Sequence, residues 1–292
     1  MKANCALCGE YRTMTGEHLI AKWIGKIINY DNPITISTFS LGEEFERTYD
    51  THFGGHKELK VPVLCEPCNS EWSSKIQNDN SKFLKHIITG ESWRLSSPER
   101  ERLATWMSLF TIIRQLVRPE LAALDKNVRL EFFNSTTKIR NSRSKKIKTL
   151  LNGYPLPGIN VWIGKFDGNL KNFCSHYRGA NLLSLMKGDP APIDNQMNTY
   201  FAGVVMGNIF LLAFGSTLPS MKNMCHLPIQ TVNTYLNNRG MQQIWPSYSA
   251  YKEFAGTPFS DKDFELLIGE AMQQMGLGFW GLRRLSGDKV ST

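Results

Sequence analysis

A chain of 292 residues with 41% hydrophobic and 21% charged residues has the composition of a folded globular protein, which excludes a disordered chain. Its longest apolar run, Tyr200 to Gly215, is interrupted by glycines and an asparagine and is too short to span a bilayer, while MKANCALCGE at the start lacks the apolar core of a signal peptide. The net charge of +8 is unevenly spread: residues 1–90 hold ten Lys/Arg against eleven Asp/Glu, and residues 91–292 hold 24 against 15. A soluble, cytoplasmic protein with no membrane partner is expected, its second part suited to a polyanion; nothing in the sequence fixes its oligomeric state.

In chain order, the first motif is CALCG, with two residues between Cys5 and Cys8 and Gly9 placed for the tight turn of a metal knuckle. TGEHLIAKW follows, where the acidic Glu17 directly precedes His18. ITISTF (34–39) and LKVPVL (59–64) read as strands, with His52 and His56 on the loop between them; either could touch a phosphate, but loop histidines are more often solvent-exposed. LCEPCNSEW then supplies Cys65 and Cys68, with Asn69 immediately after the second cysteine. Two C-x-x-C units in a reducing compartment predict one structural Zn²⁺ held by Cys5, Cys8, Cys65 and Cys68 rather than disulfides. A redox role is the competing reading, but the first pair lacks the strand-before, helix-after context of a thioredoxin-like site.

NSEWSSKIQNDNSKFLKHII reads as a helix with a broken apolar stripe of Trp72, Ile76, Phe83 and Ile87. SSPERERLATWMSLFTIIRQLVRPE predicts a second helix, with Ser97 as cap, Pro98 in the first turn, Glu99 favouring the dipole, and a core-facing stripe from Leu103 to Val117. The run Lys138 to Lys148 carries six basic residues and no acid; it is either a polyanion contact or a solvated loop. INVWIGKF and the run from Tyr200 to Gly215 read as strands, KGDPAP as a turn, and DKDFELLIGEAM as a late helix. Cys174 and Cys225 stand alone and read as core residues, and His86, His176 and His226 have no partner motif. The expected fold class is α+β, with residues 1–90 forming a small zinc-stapled unit and residues 91–292 a larger basic α+β domain that grips or reads nucleic acid.

The frame CALCG…TGEHLIAKWIG…LCEPCNSEWSSKIQ resembles the HNH, or ββα-metal, endonucleases, especially the four-cysteine subgroup that includes phage junction-resolving enzymes. YPLPGINVWIG and QIWP are weaker echoes of one bacterial branch of the family. The resemblance implies a ββα-metal unit within residues 1–90, with Glu17 and Asn69 holding a catalytic Mg²⁺ or Mn²⁺ and His18 activating water. It implies DNA as the partner and phosphodiester hydrolysis as the reaction, in defence or mobile-element biology. The chain departs from the family at several points. Many members carry histidine where Asn69 stands and another where Ser73 stands, and the acidic residue is often aspartate. The asparagine that braces the base in other members has no clear equivalent; Lys60 lies nearest its place. A sparse ligand set suits Mg²⁺, which keeps several waters, and it equally fits a zinc-stapled nucleic-acid-binding protein whose nuclease site has decayed.

Overall fold

The computed structural model describes residues 1–19, 21–28, 35–38, 60–117, 119, 122–137, 154–168, 174–180, 198–217, 226–246, 251–253, 256–260 and 263. His52, His56, the basic run, Cys225, KGDPAP and all of the late helix except Asp263 fall outside them. The chain mixes helices with antiparallel-rich sheets, as expected for α+β.

The first sheet joins β1 (Lys2–Asn4), β2 (Tyr11–His18) and β4 (Lys60–Cys65) in the order β1-β2-β4, all antiparallel. Met14 lies opposite Cys65 and His18 opposite Lys60, with an irregularity between Thr15 and Glu17. Gly16 there faces the stretch containing Pro62, a residue without the N–H that a regular ladder requires. A Cβ on Gly16 would stand 3.1 Å from the Lys60 side chain, a tight contact that the Lys60 side chain would have to relieve by shifting. Between these strands the chain forms α1 (Lys22–Ile28) and β3 (Thr35–Thr38).

After β4 the backbone winds into one π-helical segment, Pro67–Ser73, and continues as α2 (Ser74–Ile88). Ile76, Asn80, Leu84, Ile87 and Ile88 are the buried face of α2, at helical spacing. β5 (Arg94–Ser96) leads into α3 (Ser97–Gln115), which starts one residue earlier than the sequence implied: Ser96 is the cap, not Ser97. The reason is a capping box, in which the Glu99 carboxylate accepts hydrogen bonds from the Ser96 backbone N–H (2.8 Å) and hydroxyl (2.7 Å).

The helix α3 also differs from the expected one-sided stripe: every residue from Leu103 to Gln115 is buried, and only Leu116 and Val117 remain partly exposed. The cause is its position, with α2 against one side and the large sheet against another. Two of its buried hydroxyls are accommodated within the helix, Ser108 and Thr111 donating to the carbonyls of Ala104 (2.8 Å) and Met107 (2.7 Å).

The large sheet comprises β6 (Asn160–Lys165), β7 (Cys174–Ala180), β8 (Thr199–Met206), β9 (Ile209–Ser216) and β10 (Gln242–Trp245), with β3 at one edge, in the order β10-β6-β9-β8-β7-β3. The run from Tyr200 to Gly215 is the β8–β9 hairpin, buried on both faces, which is why it reads as continuously apolar. α3 covers one face, while on the other side Trp162 Nε1 donates to Asn233 Oδ1 (3.0 Å) in α5 (His226–Asn238). α4 (Lys126–Thr137) precedes the sheet, and β11 (Tyr251–Glu253) pairs with β5.

Residue 90 falls just after α2, and the structure crosses it repeatedly. β3 runs parallel to β7, and the backbone N–H of Asn208 donates to the Ile88 carbonyl (2.9 Å). One apolar cluster extends from Leu7, Leu64 and Trp72 through Ile112 to Ile209 and Leu211. No described helix is long and apolar enough to cross a membrane.

Candidate metal centre

The first knuckle is the turn between β1 and β2. The backbone N–H of Gly9 donates to the Cys5 carbonyl (3.0 Å), and Gly9 takes φ +74°, the left-handed conformation expected of it. The second knuckle spans the last residue of β4 and the π-helical segment. The two are stitched by Ala6 N–H to the Val63 carbonyl (2.9 Å) and by Cys65 N–H to Cys5 Sγ (3.4 Å).

This brings Cys5, Cys8, Cys65 and Cys68 together, all four Sγ atoms within 4.8 Å of one another and all four cysteines free. A tetrahedron with Zn–S bonds of about 2.3 Å has S···S edges of about 3.8 Å. The Cys8–Cys65 separation is 3.7 Å, the spacing of such an edge and far from a disulfide bond. Electrostatics point the same way. The Cys5 thiol is lowered to about 4, chiefly by the hydrogen bond from Cys68, whereas burial pushes Cys8 up to about 11. Cys68 is raised, first because its proton is held by Cys5 and then by burial. One thiolate is stabilised at the expense of its neighbours; four together need a cation. The cluster is therefore of the kind that can hold a metal ion such as zinc.

Helix α4 braces this cluster. Arg129 Nε donates to the Ala6 carbonyl inside the first knuckle (3.0 Å), and Trp72 packs against Phe132 and Phe133 with ring centroids 5.5 Å apart in each case.

Asn69 lies in the first helical turn, and the N-cap is Glu66, so a capping role does not account for its side chain. Asn69 Nδ2 donates to Thr15 Oγ1 (2.9 Å) and to the Gly16 carbonyl (3.4 Å). The Thr15 hydroxyl spends its own proton on the Leu64 carbonyl (2.9 Å), so it can only accept from Asn69. Both partners being acceptors, the amide orientation is fixed, and Oδ1 has no hydrogen-bond partner among the described residues.

Glu17 is 2% exposed. Its Oε1 accepts hydrogen bonds from Ser73 Oγ (2.8 Å) and Gln77 Nε2 (2.9 Å), and Oε2 accepts none from the described residues. Burial pushes its carboxyl up to about 7, against the lowering effect of the Ser73 and Gln77 bonds. One corner of β2 is thus tied to the helix twice, Thr15 and Gly16 accepting from Asn69, and Glu17 accepting from Ser73 and Gln77 in the following turns. His18 ends β2 beside them, partly buried and opposite Lys60. His86, at a distance in sequence, pairs on the surface with Glu91 (2.7 Å), in keeping with a structural role.

The residues not anticipated as parts of this corner are Thr15, Ser73 and Gln77. A signal for two of them was present: Asn69, Ser73 and Gln77 recur every four residues, which puts them on one helical face. Compared with family models, with curated proteins and with solved structures, the chain matches none.

Proposed function

We propose that this chain is a metal-dependent HNH-type endonuclease that hydrolyses phosphodiester bonds in DNA. In this reading Zn²⁺ occupies the four-cysteine cluster, Glu17 and Asn69 hold Mg²⁺ or Mn²⁺, and His18 is the general base. One observation carries it: at the corner of β2, hydrogen bonds consume Asn69 Nδ2 and Glu17 Oε1, and among the described residues nothing bonds Asn69 Oδ1 or Glu17 Oε2. Those two atoms are a neutral and an anionic oxygen, the hard donors Mg²⁺ takes while keeping most of its waters. The succession of β2, antiparallel β4 and α2 agrees with the resemblance to ββα-metal enzymes.

When bound, the catalytic cation supplies charge neutralisation at the scissile phosphate and at the leaving oxygen. The chain's own residues do the rest. His18 takes a proton from the attacking water, so that the new P–O bond forms as the ester P–O bond breaks. Imidazole suits this task because it titrates near neutrality, and a positioned base contributes about 10²–10⁴-fold. Asn69 and Glu17 orient the phosphate by fixing where positive charge sits. Zinc takes no part in the chemistry; binding free energy on the order of 10 kcal/mol holds the β1–β2 turn against the π-helical segment. The excess of Lys and Arg in residues 91–292 supports DNA as the partner.

The test is incubation of the purified chain with supercoiled plasmid and Mg²⁺ or Mn²⁺, with EDTA as control. Metal-dependent nicking that EDTA suppresses is expected. Plasmid binding without cleavage in either metal would leave the nucleic-acid-binding reading in its place.

A further inference from the structure

We propose that Ser73 and Gln77 are positioning residues for Glu17, tying one carboxylate oxygen to α2 so that only the other is left for a cation. The proposal rests on the endonuclease reading of this corner and adds to it the residues that set how Glu17 binds.

A glutamate at a strand end has three side-chain torsions to fix, and a loosely held carboxylate can turn either oxygen, or both, toward a metal. Here two donors converge on the same oxygen, Oε1, from Ser73 Oγ (2.8 Å) and Gln77 Nε2 (2.9 Å). Gln77 Nε2 also reaches Ser73 Oγ (3.3 Å). An amide N–H can only donate, so the Ser73 oxygen accepts from Gln77 and directs its own proton at Glu17. The three groups close a triangle in which Ser73 and Gln77 both donate to the same carboxylate oxygen. Ser73 is fully buried, which keeps water from competing for its hydroxyl. A carboxylate with one oxygen committed in this way offers a cation a single ligand atom, in keeping with the near-octahedral shell of Mg²⁺.

The placement along the helix adds to the argument. Asn69, Ser73 and Gln77 are four residues apart, so a candidate ligand and both braces of the other ligand share one helical face. That face begins next to Cys68, one of the four clustered cysteines. The same staple therefore sets the position of Asn69 directly and of Glu17 through Ser73 and Gln77.

A serine and glutamine that merely satisfied a buried carboxylate would affect folding and not metal affinity, which gives the test. The full-length chain is titrated with Mn²⁺, followed by the electron paramagnetic resonance signal of the free ion, for wild type, Glu17→Gln, Ser73→Ala and Gln77→Met. Zinc content is measured on the same samples. Glu17→Gln should lose the Mn²⁺ site. Ser73→Ala and Gln77→Met should keep zinc and weaken Mn²⁺ binding by about 10–100-fold, raising the Mn²⁺ needed for half-maximal plasmid cleavage in parallel. If Ser73→Ala loses zinc through misfolding, Gln77→Met, which keeps the side-chain length and removes the donor, decides. Wild-type Mn²⁺ affinity in Gln77→Met with zinc retained would overturn the positioning role alone. A wild type that binds no more Mn²⁺ than Glu17→Gln would overturn the metal reading of the corner and this proposal with it.

Discussion

The cysteine cluster and the Glu17–Asn69 corner draw on the same two stretches of chain, around β2 and around the end of β4, yet they are specified differently. In the cluster four identical soft donors converge, and each pair is set by a two-residue spacing that survives small changes elsewhere. At the corner the donors are chemically distinct, and each atom's availability depends on a particular hydrogen bond across the β2–α2 contact. A slip of one residue between β2 and β4 would turn Glu17 away from α2 and leave the cysteine spacings intact. The cluster is a local motif made to fold; the corner is a consequence of register.

The largest effect that separates the two should come from Cys65→Ser. With zinc in the cluster as proposed, removing one of four sulfurs would leave a weak site, and binding free energy on the order of 10 kcal/mol would be coupled to folding. Because Trp72 and the Ala6 carbonyl tie the cluster to α4, loss of cooperative structure should extend past residue 90. Thermal unfolding followed by circular dichroism checks this; a variant with wild-type melting would show the cluster to be dispensable.

A smaller effect is expected from titrating the corner in the absence of a divalent cation at Glu17. Its folded-state value of about 7 lies above the ordinary 4.5, so the native chain retains a proton that the unfolded chain releases. The stabilising contribution is complete below about 4.5 and is lost as pH rises through about 7, a change on the order of 3 kcal/mol. Glu17→Gln should abolish that slope while keeping the acceptor for Ser73 and Gln77. Denaturant melts at several pH values decide, and equal slopes in both proteins would contradict the assignment of the shift to Glu17.

Smaller again is the expected effect of the basic run. Neutralising Lys145, Lys146 and Lys148 should weaken DNA binding and flatten its salt dependence, by roughly 0.9 in log–log slope for each phosphate that the variant no longer neutralises. The four-cysteine cluster and the Glu17–Asn69 corner should remain as in the wild type. An unchanged slope would mark the run as a solvated loop.

How much of this was legible follows the same division. C-x-x-C spacing, the left-handed Gly9 and the apolar run that becomes β8 and β9 are short-range signals, and the structure carries each of them. The parallel pairing of β3 with β7 joins residues far apart in sequence and leaves no periodic trace. The all-round burial of α3 is hidden because Ser108 and Thr111 look like an exposed face until their hydroxyls are seen bonding within the helix. Ser73 and Gln77 share a face with Asn69 by spacing alone, but that their partner is Glu17 depends on how β2 lies against α2.

The most direct measurement of the central claim is plasmid cleavage as a function of Mg²⁺ concentration for the wild type, Asn69→Ala and His18→Ala, with zinc content held as the control for folding. The account predicts that Asn69→Ala keeps zinc and cleaves only at raised Mg²⁺, with Asn69→Asp recovering part of the loss. It predicts that His18→Ala is inactive at every concentration while binding DNA as the wild type does, because the base and not a ligand is gone. Cleavage by Asn69→Ala with the wild-type Mg²⁺ dependence, or by His18→Ala at the wild-type rate, would contradict it.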